Sequence, residues 1–212
     1  MKTLAKGSFC LLLVSFLMMV STFVTAEARV LQNNSNLYIA MNKSLSTWFQ
    51  AGTNVNEIAP GVVSSGTLLN NSNLYIASNR SLSTWFKAGT GASFRPDGAL
   101  SSGTLLNNSN LYIASNRSLS TWFQADTAAS FRADGSLYSG TLLNNSNLYI
   151  ASNRSLSTWF RAGTQIATRE DGSVSQGTLL NKTNLYTNPQ RSQSRWFEAG
   201  TTVSFGPDGS VN

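Results

Sequence analysis

The sequence predicts an all-β protein in which one module of 37 residues occurs five times. Three observations predict this fold class: aromatic residues at a fixed period, short segments without helical periodicity, and turn-forming residues between those segments. The period is marked by five tryptophans, Trp48, Trp85, Trp122, Trp159 and Trp196. Tyrosines keep the same interval at Tyr38, Tyr75, Tyr112, Tyr149 and Tyr186. A feature found in one module is therefore expected in several copies.

The module from residue 129 to residue 169 is divided by four turn signals. These are Ala133–Gly135, Asn144–Ser146, Ser152–Ser155 and Ala162–Thr164. Gly and Asn tolerate positive φ, while Asp, Asn and Ser bond locally to the backbone. The segments around the turns are predicted strands: Ser136–Leu143, Asn147–Ala151, Leu156–Arg161 and Gln165–Arg169. Residues alternate in character along the third strand, which places Leu156, Thr158 and Phe160 on one face. The module is predicted to be a small antiparallel four-stranded sheet.

A lone sheet of this size would leave an edge and an apolar face uncovered, whereas five sheets packed around an axis cover those faces. The predicted fold is therefore a five-bladed β-propeller with repeats at about 30–66, 67–103, 104–140, 141–177 and 178–212. The first repeat lacks an Asp-Gly turn and half a strand, and the segment from Ser204 onward supplies that piece. This complementarity predicts a ring closed by the C-terminal segment. A parallel β-helix and an open linear array are the alternatives.

Residues 1–26 are predicted to be a secretory signal peptide, followed by a single repeat domain over residues 27–212. The start Met1–Lys6 is cationic, Phe9–Val20 is an apolar run, and Val24–Ala26 offers small residues for cleavage. The apolar run is too short for a membrane anchor. We therefore expect a secreted, extracellular protein without a membrane span.

The composition argues against several classes of function. The chain carries a net charge of +6 without a block of like charges, which argues against nucleic acid as a partner. It has no histidine, and its one cysteine, Cys10, lies in the predicted signal peptide, so the exported protein is expected to have no disulfide. The usual general bases and thiol nucleophiles are therefore missing. We expect no enzyme, no cofactor and no metal site.

The repeat resembles two families of propeller. The stretch Gly135–Thr141, followed by Asn147–Tyr149, Leu156 and Trp159, is similar to the repeat of quinoprotein-type (PQQ-like) β-propellers. With Phe131–Asp134 in front, it also resembles the blades of tachylectin-type five-bladed lectins. Both resemblances imply a propeller blade. The quinoprotein resemblance implies that the tryptophan locks one blade to the next, whereas an exposed indole would be a platform for a sugar.

The candidate ligand-binding residues form a repeated polar turn. They are Asn79, Arg80, Ser81, Asn116, Arg117, Ser118, Asn153, Arg154 and Ser155, with Asn42–Ser44 as a close relative. A carboxamide, a guanidinium and a hydroxyl together supply the donors and acceptors that a hydroxylated ligand requires. A nearby aromatic residue, Phe86, Phe123 or Phe160, is expected to add apolar contact. Because Asn and Ser also fill turns for conformational reasons, a purely structural role is the alternative.

The same asparagines belong to a larger set of possible N-glycosylation sites. The Asn-x-Ser/Thr pattern occurs at Asn33, Asn42, Asn70, Asn79, Asn107, Asn116, Asn144, Asn153 and Asn181. In a eukaryotic host these positions would carry glycans rather than bind them.

The function expected from these features is that of a secreted multivalent binding protein, lectin-like, with glycans or a glycosylated surface as its partner. The alternative is a secreted repeat polypeptide that serves as a peptide precursor or as a structural extracellular protein. Precursors normally carry dibasic processing sites, and the chain has no dibasic pair.

Export is expected to remove the N-terminus after Ala26 or Ala28, because a charged start, an apolar run and small residues precede those positions. The intact mass of secreted protein measures the cleavage position. Secreted material that still carries Met1 through Cys10 would contradict the prediction.

Overall fold

The computed structural model describes residues 28–211. Within this range the regular secondary structure consists of twenty β-strands, without a helix. The all-β prediction is confirmed, whereas the predicted signal peptide lies outside the described residues. In the module used for the prediction, the strands run over Leu137–Thr141, Ser146–Tyr149, Ser157–Phe160 and Gln165–Thr168. The four strands per repeat are therefore placed correctly to within about two residues at most ends.

Ten strands, two from most repeats, form one continuous antiparallel path through the described chain. In spatial order they are β1 Ala28–Val30, β4 Asn54–Ala59, β5 Val62–Thr67, β8 Gly91–Phe94, β9 Leu100–Thr104, β12 Ala128–Phe131, β13 Leu137–Thr141, β16 Gln165–Thr168, β17 Val174–Thr178 and β20 Thr202–Ser204. We call this path the main sheet. It crosses every boundary between repeats, since β5 pairs with β8 and β9 pairs with β12.

The other ten strands form five two-stranded hairpins, one in each repeat. They are β2 Ser35–Tyr38 with β3 Ser46–Phe49, β6 Ser72–Tyr75 with β7 Ser83–Phe86, β10 Ser109–Tyr112 with β11 Ser120–Phe123, β14 Ser146–Tyr149 with β15 Ser157–Phe160, and β18 Thr183–Tyr186 with β19 Ser194–Phe197. The prediction that the four strands of a module form one separate sheet is wrong. Two of them pair as a hairpin, and the other two join neighbouring repeats. In the first repeat the hairpin strand β2 also pairs with β5 in parallel, through Tyr38 and Val62.

Four of the five hairpins pack on the main sheet through a phenylalanine that lies against a glycine. Phe49, Phe86, Phe123 and Phe160 are fully buried. Opposite each ring the sheet has a glycine: a Cβ added at Gly103 would lie 2.8 Å from Cδ1 of Phe86. A second aromatic ring, such as Phe131 against Phe86, meets the first edge to face with centroids 6.0 Å apart. The core therefore lies between the hairpins and the main sheet.

Neighbouring repeats are joined at a turn that bears the Asp-Gly pair. The turn around Gly135 lies against the hairpin tip of the preceding repeat: a Cβ on Gly135 would approach the Cβ of Ala77 to 2.9 Å. The amide of Ser78 also donates to the carbonyl of Ala133 at 2.8 Å. Equivalent joints recur at Gly98, Gly172 and Gly209.

The corresponding contact that would close a ring is not formed in residues 28–211. A Cβ on Gly61, in the turn of the first repeat, has no atom within 4 Å. The hydrogen-bonded path of the main sheet also runs from β1 to β20 without pairing these two strands. The described residues thus show an array of five repeats, and the closed five-bladed ring stays a prediction.

Replacing Gly103 with alanine is expected to lower the free energy of unfolding by about 1–3 kcal/mol, because the new methyl group would overlap the ring of Phe86. Gly91→Ala is the matched control. It lies in the neighbouring strand, where an added Cβ meets nothing within 4 Å, so its effect is expected to be small. Chemical denaturation measures both variants, and equal stabilities would contradict the packing argument.

The aspartate of the Asp-Gly turn stabilises the joint between neighbouring repeats. Burial raises the pKa of Asp134 and Asp171, but hydrogen bonds from Ser115 and Ser152 and from their own turns outweigh it, so both pKa values lie below the ordinary value. Each carboxylate therefore stabilises the fold above its unfolded pKa. This contribution is lost as the pH falls through the lowered folded pKa.

The last joint lacks this donor. Pro189 stands where Ser115 and Ser152 stand in earlier repeats, and Oδ2 of Asp208 is buried without a hydrogen-bond partner among the described residues. A buried acceptor without a partner lowers stability.

Pro189→Ser is therefore expected to be about 1 kcal/mol more stable than Pro189→Ala, because only the serine supplies a hydroxyl donor to Asp208. The alanine variant corrects for the loss of the proline ring, which acts mainly on the unfolded chain. Thermal unfolding of the pair measures the difference. A serine variant no more stable than the alanine variant would show that the carboxylate does not need this donor.

Candidate ligand-binding face of the hairpins

The predicted Asn-Arg-Ser turns form the tips of the hairpins. Their asparagines accept hydrogen bonds from the serine two residues on: Oδ1 of Asn79 lies 3.1 Å from the amide nitrogen and 2.6 Å from Oγ of Ser81. The same pair of bonds links Asn116 with Ser118. In the third predicted turn, Asn153 accepts from the amide of Ser155 at 3.0 Å. These carboxamides fix the shape of the turn.

The arginines of the tips connect neighbouring repeats. Arg80, Arg117 and Arg154 adopt φ angles of 58–59°, in the left-handed region that Gly and Asn tolerate best. Nη2 of Arg80 donates to Oγ of Ser44 at 2.6 Å, and Nη2 of Arg154 donates to Oγ of Ser118 at 2.7 Å. Each arginine thus reaches the serine of the preceding repeat.

The structure therefore brings together the predicted turn residues, but as a chain of contacts within the protein. In the fifth repeat Arg191 makes the same contact with Ser155 at 2.8 Å, although its turn begins with Gln190. The hypothesis that these turns bind a ligand stays a prediction. Their donors and acceptors are already partly used by the fold.

The predicted aromatic support of this site is wrong. Phe86, Phe123 and Phe160 were expected to lie beside a ligand, yet all three are fully buried in the core. The exposed aromatic residues of the hairpins are instead the five tryptophans and three of the repeated tyrosines, Tyr38, Tyr75 and Tyr112.

All five tryptophans lie at the surface, with 46% to 63% of each residue exposed. Their indoles therefore lie outside the core, and the interpretation that they lock neighbouring modules together stays a prediction. The alternation of residues along the third predicted strand indicates the same outward direction for the tryptophan. If Thr158 and Phe160 face the core, as their burial shows, then Trp159 between them faces outward.

The outward face of a hairpin carries a constant set of four side chains. In the second hairpin Asn73 pairs with Trp85 and Tyr75 pairs with Ser83 across the two strands. The other four hairpins have the same register. Cross-strand partners lie about 5 Å apart, so the indole, the carboxamide and the phenol form one contiguous surface. We call this surface the hairpin face.

The polar groups of the hairpin face are free to bind. Its asparagines are all exposed, and none hydrogen-bonds through its side chain to another described residue; they are Asn36, Asn73, Asn110, Asn147 and Asn184. Tyr38, Tyr75 and Tyr112 are exposed, whereas Tyr149 and Tyr186 are half-buried. No Asp, Glu, Lys or Arg belongs to the outward positions of these strand pairs. The face is therefore built from flat apolar rings and amide groups, and in the first repeat Nζ of Lys43 lies 5.8 Å from the centroid of the Tyr38 ring.

The nine possible glycosylation sites are likewise exposed. Four lie at the tips of the first four hairpins, and five lie before the first strand of each of the five hairpins. Exposure is the condition that modification requires, and glycosylation at these positions stays a prediction.

A concave surface lies on the face of the main sheet opposite the hairpins. A groove of about 480 Å³ is lined by Tyr138, Gln165, Gln176, Thr178 and Thr202, among others. It lies where three repeats meet, and its large side chains are not repeated in the other modules. The hairpin face is the only one of the two surfaces that occurs in every repeat.

Within residues 28–211, no helix has the length and apolarity needed to cross a membrane. The same part of the chain contains no group of three or more His, Cys, Asp or Glu side chains arranged to hold a metal ion.

Comparison with models of known protein families, with curated proteins and with solved structures found no match to this chain. The resemblance to quinoprotein-type propellers and to tachylectin-type lectins therefore rests on the residues of the repeat alone.

Proposed function

We propose that this protein is a secreted, non-enzymatic, multivalent carbohydrate-binding protein whose sites are the five hairpin faces. The observation that carries the proposal is the exposure of every repeated tryptophan beside an asparagine whose side chain has no partner. An indole offers a flat apolar surface for the C–H face of a pyranose ring. The neighbouring carboxamide supplies both a donor and an acceptor for sugar hydroxyls.

The repetition explains how shallow sites would bind usefully. A single open face with one indole and one carboxamide is expected to bind a sugar with a dissociation constant on the order of millimolar to micromolar. Five such faces on one rigid array would raise the effective affinity for a surface that displays many copies of the sugar. The expected partner is therefore a glycan-rich surface.

The proposal does not require the ring to close. The outward direction of a hairpin face follows from the burial of the phenylalanine in the same hairpin, which is present in the described residues without closure of the ring. A peptide precursor or a purely structural extracellular protein remains the alternative, and neither requires glycan binding.

The test compares two triple variants. Replacing Trp85, Trp122 and Trp159 with alanine is expected to weaken binding to the best hit of a glycan array strongly, because only the faces of Trp48 and Trp196 remain. The fold is expected to be kept, because the replaced side chains are exposed. Replacing Arg80, Arg117 and Arg154 with alanine is expected to leave most of the binding intact and to lower stability modestly, because these arginines connect repeats.

Titration calorimetry of the wild type with a small sugar is expected to give a stoichiometry of four or five, and circular dichroism checks the fold of each variant. If the arginine variant loses binding and the tryptophan variant keeps it, the site is the turn and not the hairpin face. If the wild type binds nothing on a broad glycan array, the proposed function is wrong.

A further inference from the structure

We propose that the ligand is an extended, uncharged polysaccharide that crosses several hairpin faces at once, rather than a terminal sugar bound to one face. This inference rests on the proposed function and names the class of its ligand. The polymer expected is a chain of β-1,4-linked pyranoses. The argument comes from the way in which neighbouring hairpins are aligned.

Adjacent hairpins are held side by side along their length. At the tips, Nη2 of Arg80 bonds to Oγ of Ser44 at 2.6 Å. At the bases, the carbonyl of Trp48 accepts a hydrogen bond from the amide of Leu69 at 2.9 Å. Contacts at both ends keep one hairpin from turning away from the next.

The inner sides of neighbouring hairpins also touch. Oγ1 of Thr84 lies 3.4 Å from Oγ of Ser109, and Oγ1 of Thr121 lies 3.3 Å from Oγ of Ser146. These pairs join the second strand of one hairpin to the first strand of the next. Neighbouring hairpins therefore lie side by side in one layer, as neighbouring strands do.

The five indoles are consequently expected to form a row with a regular step. The carbonyl contact made by Trp48 recurs at Trp85, Trp122 and Trp159, so the same geometry relates each repeat to the next. The main sheet advances by two strands per repeat, which corresponds to a step of about 10 Å. Neighbouring hairpin tips are no farther apart than one arginine side chain can span, because Arg80 of one tip bonds to Ser44 of the preceding tip.

This step matches the repeat of an extended β-1,4-linked chain. In such a chain each pyranose is turned over relative to its neighbours, so the same face recurs at every second sugar. The length of two linked pyranose units is about twice the spacing between neighbouring β-strands. One indole of the row can therefore support every second sugar, while the asparagines contact the hydroxyls along the chain.

The charge and the shape of the row define the ligand further. The outward strand positions of the hairpin face carry no acidic or basic residue, and among the described residues a cation lies over one of its rings in the first repeat alone, where Nζ of Lys43 is 5.8 Å from the centroid of Tyr38. In the other four repeats a polymer of uronic acids would leave its carboxylates without a partner. The face is also open and flat, which suits contact along a chain better than enclosure of one terminal residue. An uncharged linear polymer satisfies both conditions.

The experiment uses two double variants of the full protein that each keep three tryptophans. Trp48→Ala with Trp196→Ala leaves three consecutive indoles, whereas Trp85→Ala with Trp159→Ala leaves three that are not adjacent. The probes are β-1,4-linked oligomers of glucose and of N-acetylglucosamine, from the disaccharide to the octasaccharide. Circular dichroism verifies that both variants fold.

The wild-type affinity is expected to rise with oligomer length. The variant with separated indoles is expected to bind the longest oligomer roughly tenfold or more weakly than the variant with consecutive indoles. If the two variants bind equally and oligomer length has no effect, the faces act independently. That result would overturn this inference and leave the proposed function standing. If the wild type binds short sugars from other classes but none of these oligomers, the ligand class is wrong, and binding to no glycan at all overturns the proposed function itself.

Discussion

The packing of a phenylalanine against a glycine of the main sheet, which occurs in four of the five hairpins, is the interaction on which the rest of the structure depends. The ring of Phe123 lies so close to Gly140 that a Cβ there would be 2.9 Å from it. A sheet with a larger residue at this position would hold the hairpin farther away and open the core. This contact fixes the height of the hairpin above the sheet and decides which of its faces is buried.

Once the phenylalanine is buried, the strand period of two determines the surface. Trp122 precedes Phe123, so it must point away from the sheet, and its cross-strand partner Asn110 points the same way. The indole and the carboxamide are therefore presented together by the requirements of the core. The arginines at the tips and the turns at the joints then repeat this presentation from module to module. In this way the stability of the array and the arrangement of the proposed sites have a common origin.

Much of this architecture could be predicted from the sequence because it is local. The positions of the strands and turns follow from alternation and from residues such as Gly135 and Gly163, both of which have positive φ. The pairing partners could not be predicted, because pairing is decided by contacts between repeats. The sequence shows four strands in each module, but it does not show that two of them join the neighbouring modules in one sheet.

The candidate site was harder to predict for two different reasons. The role of Arg80 depends on Ser44 of the preceding repeat, which no local pattern reveals. The exposure of Trp159, by contrast, could be read from its place between Thr158 and Phe160. It was obscured by the resemblance to families in which the tryptophan is structural. The alternation of the strand was the better guide, since it reflects the packing of this chain.

The measurement that tests the account most directly is the reactivity of the indoles toward an oxidant such as N-bromosuccinimide in the folded protein. If every phenylalanine of the hairpins is buried and every tryptophan faces outward, all five tryptophans react under native conditions at rates close to those of the unfolded chain. Indoles that stay protected until the protein unfolds would show that the tryptophans belong to the core, and would contradict the account.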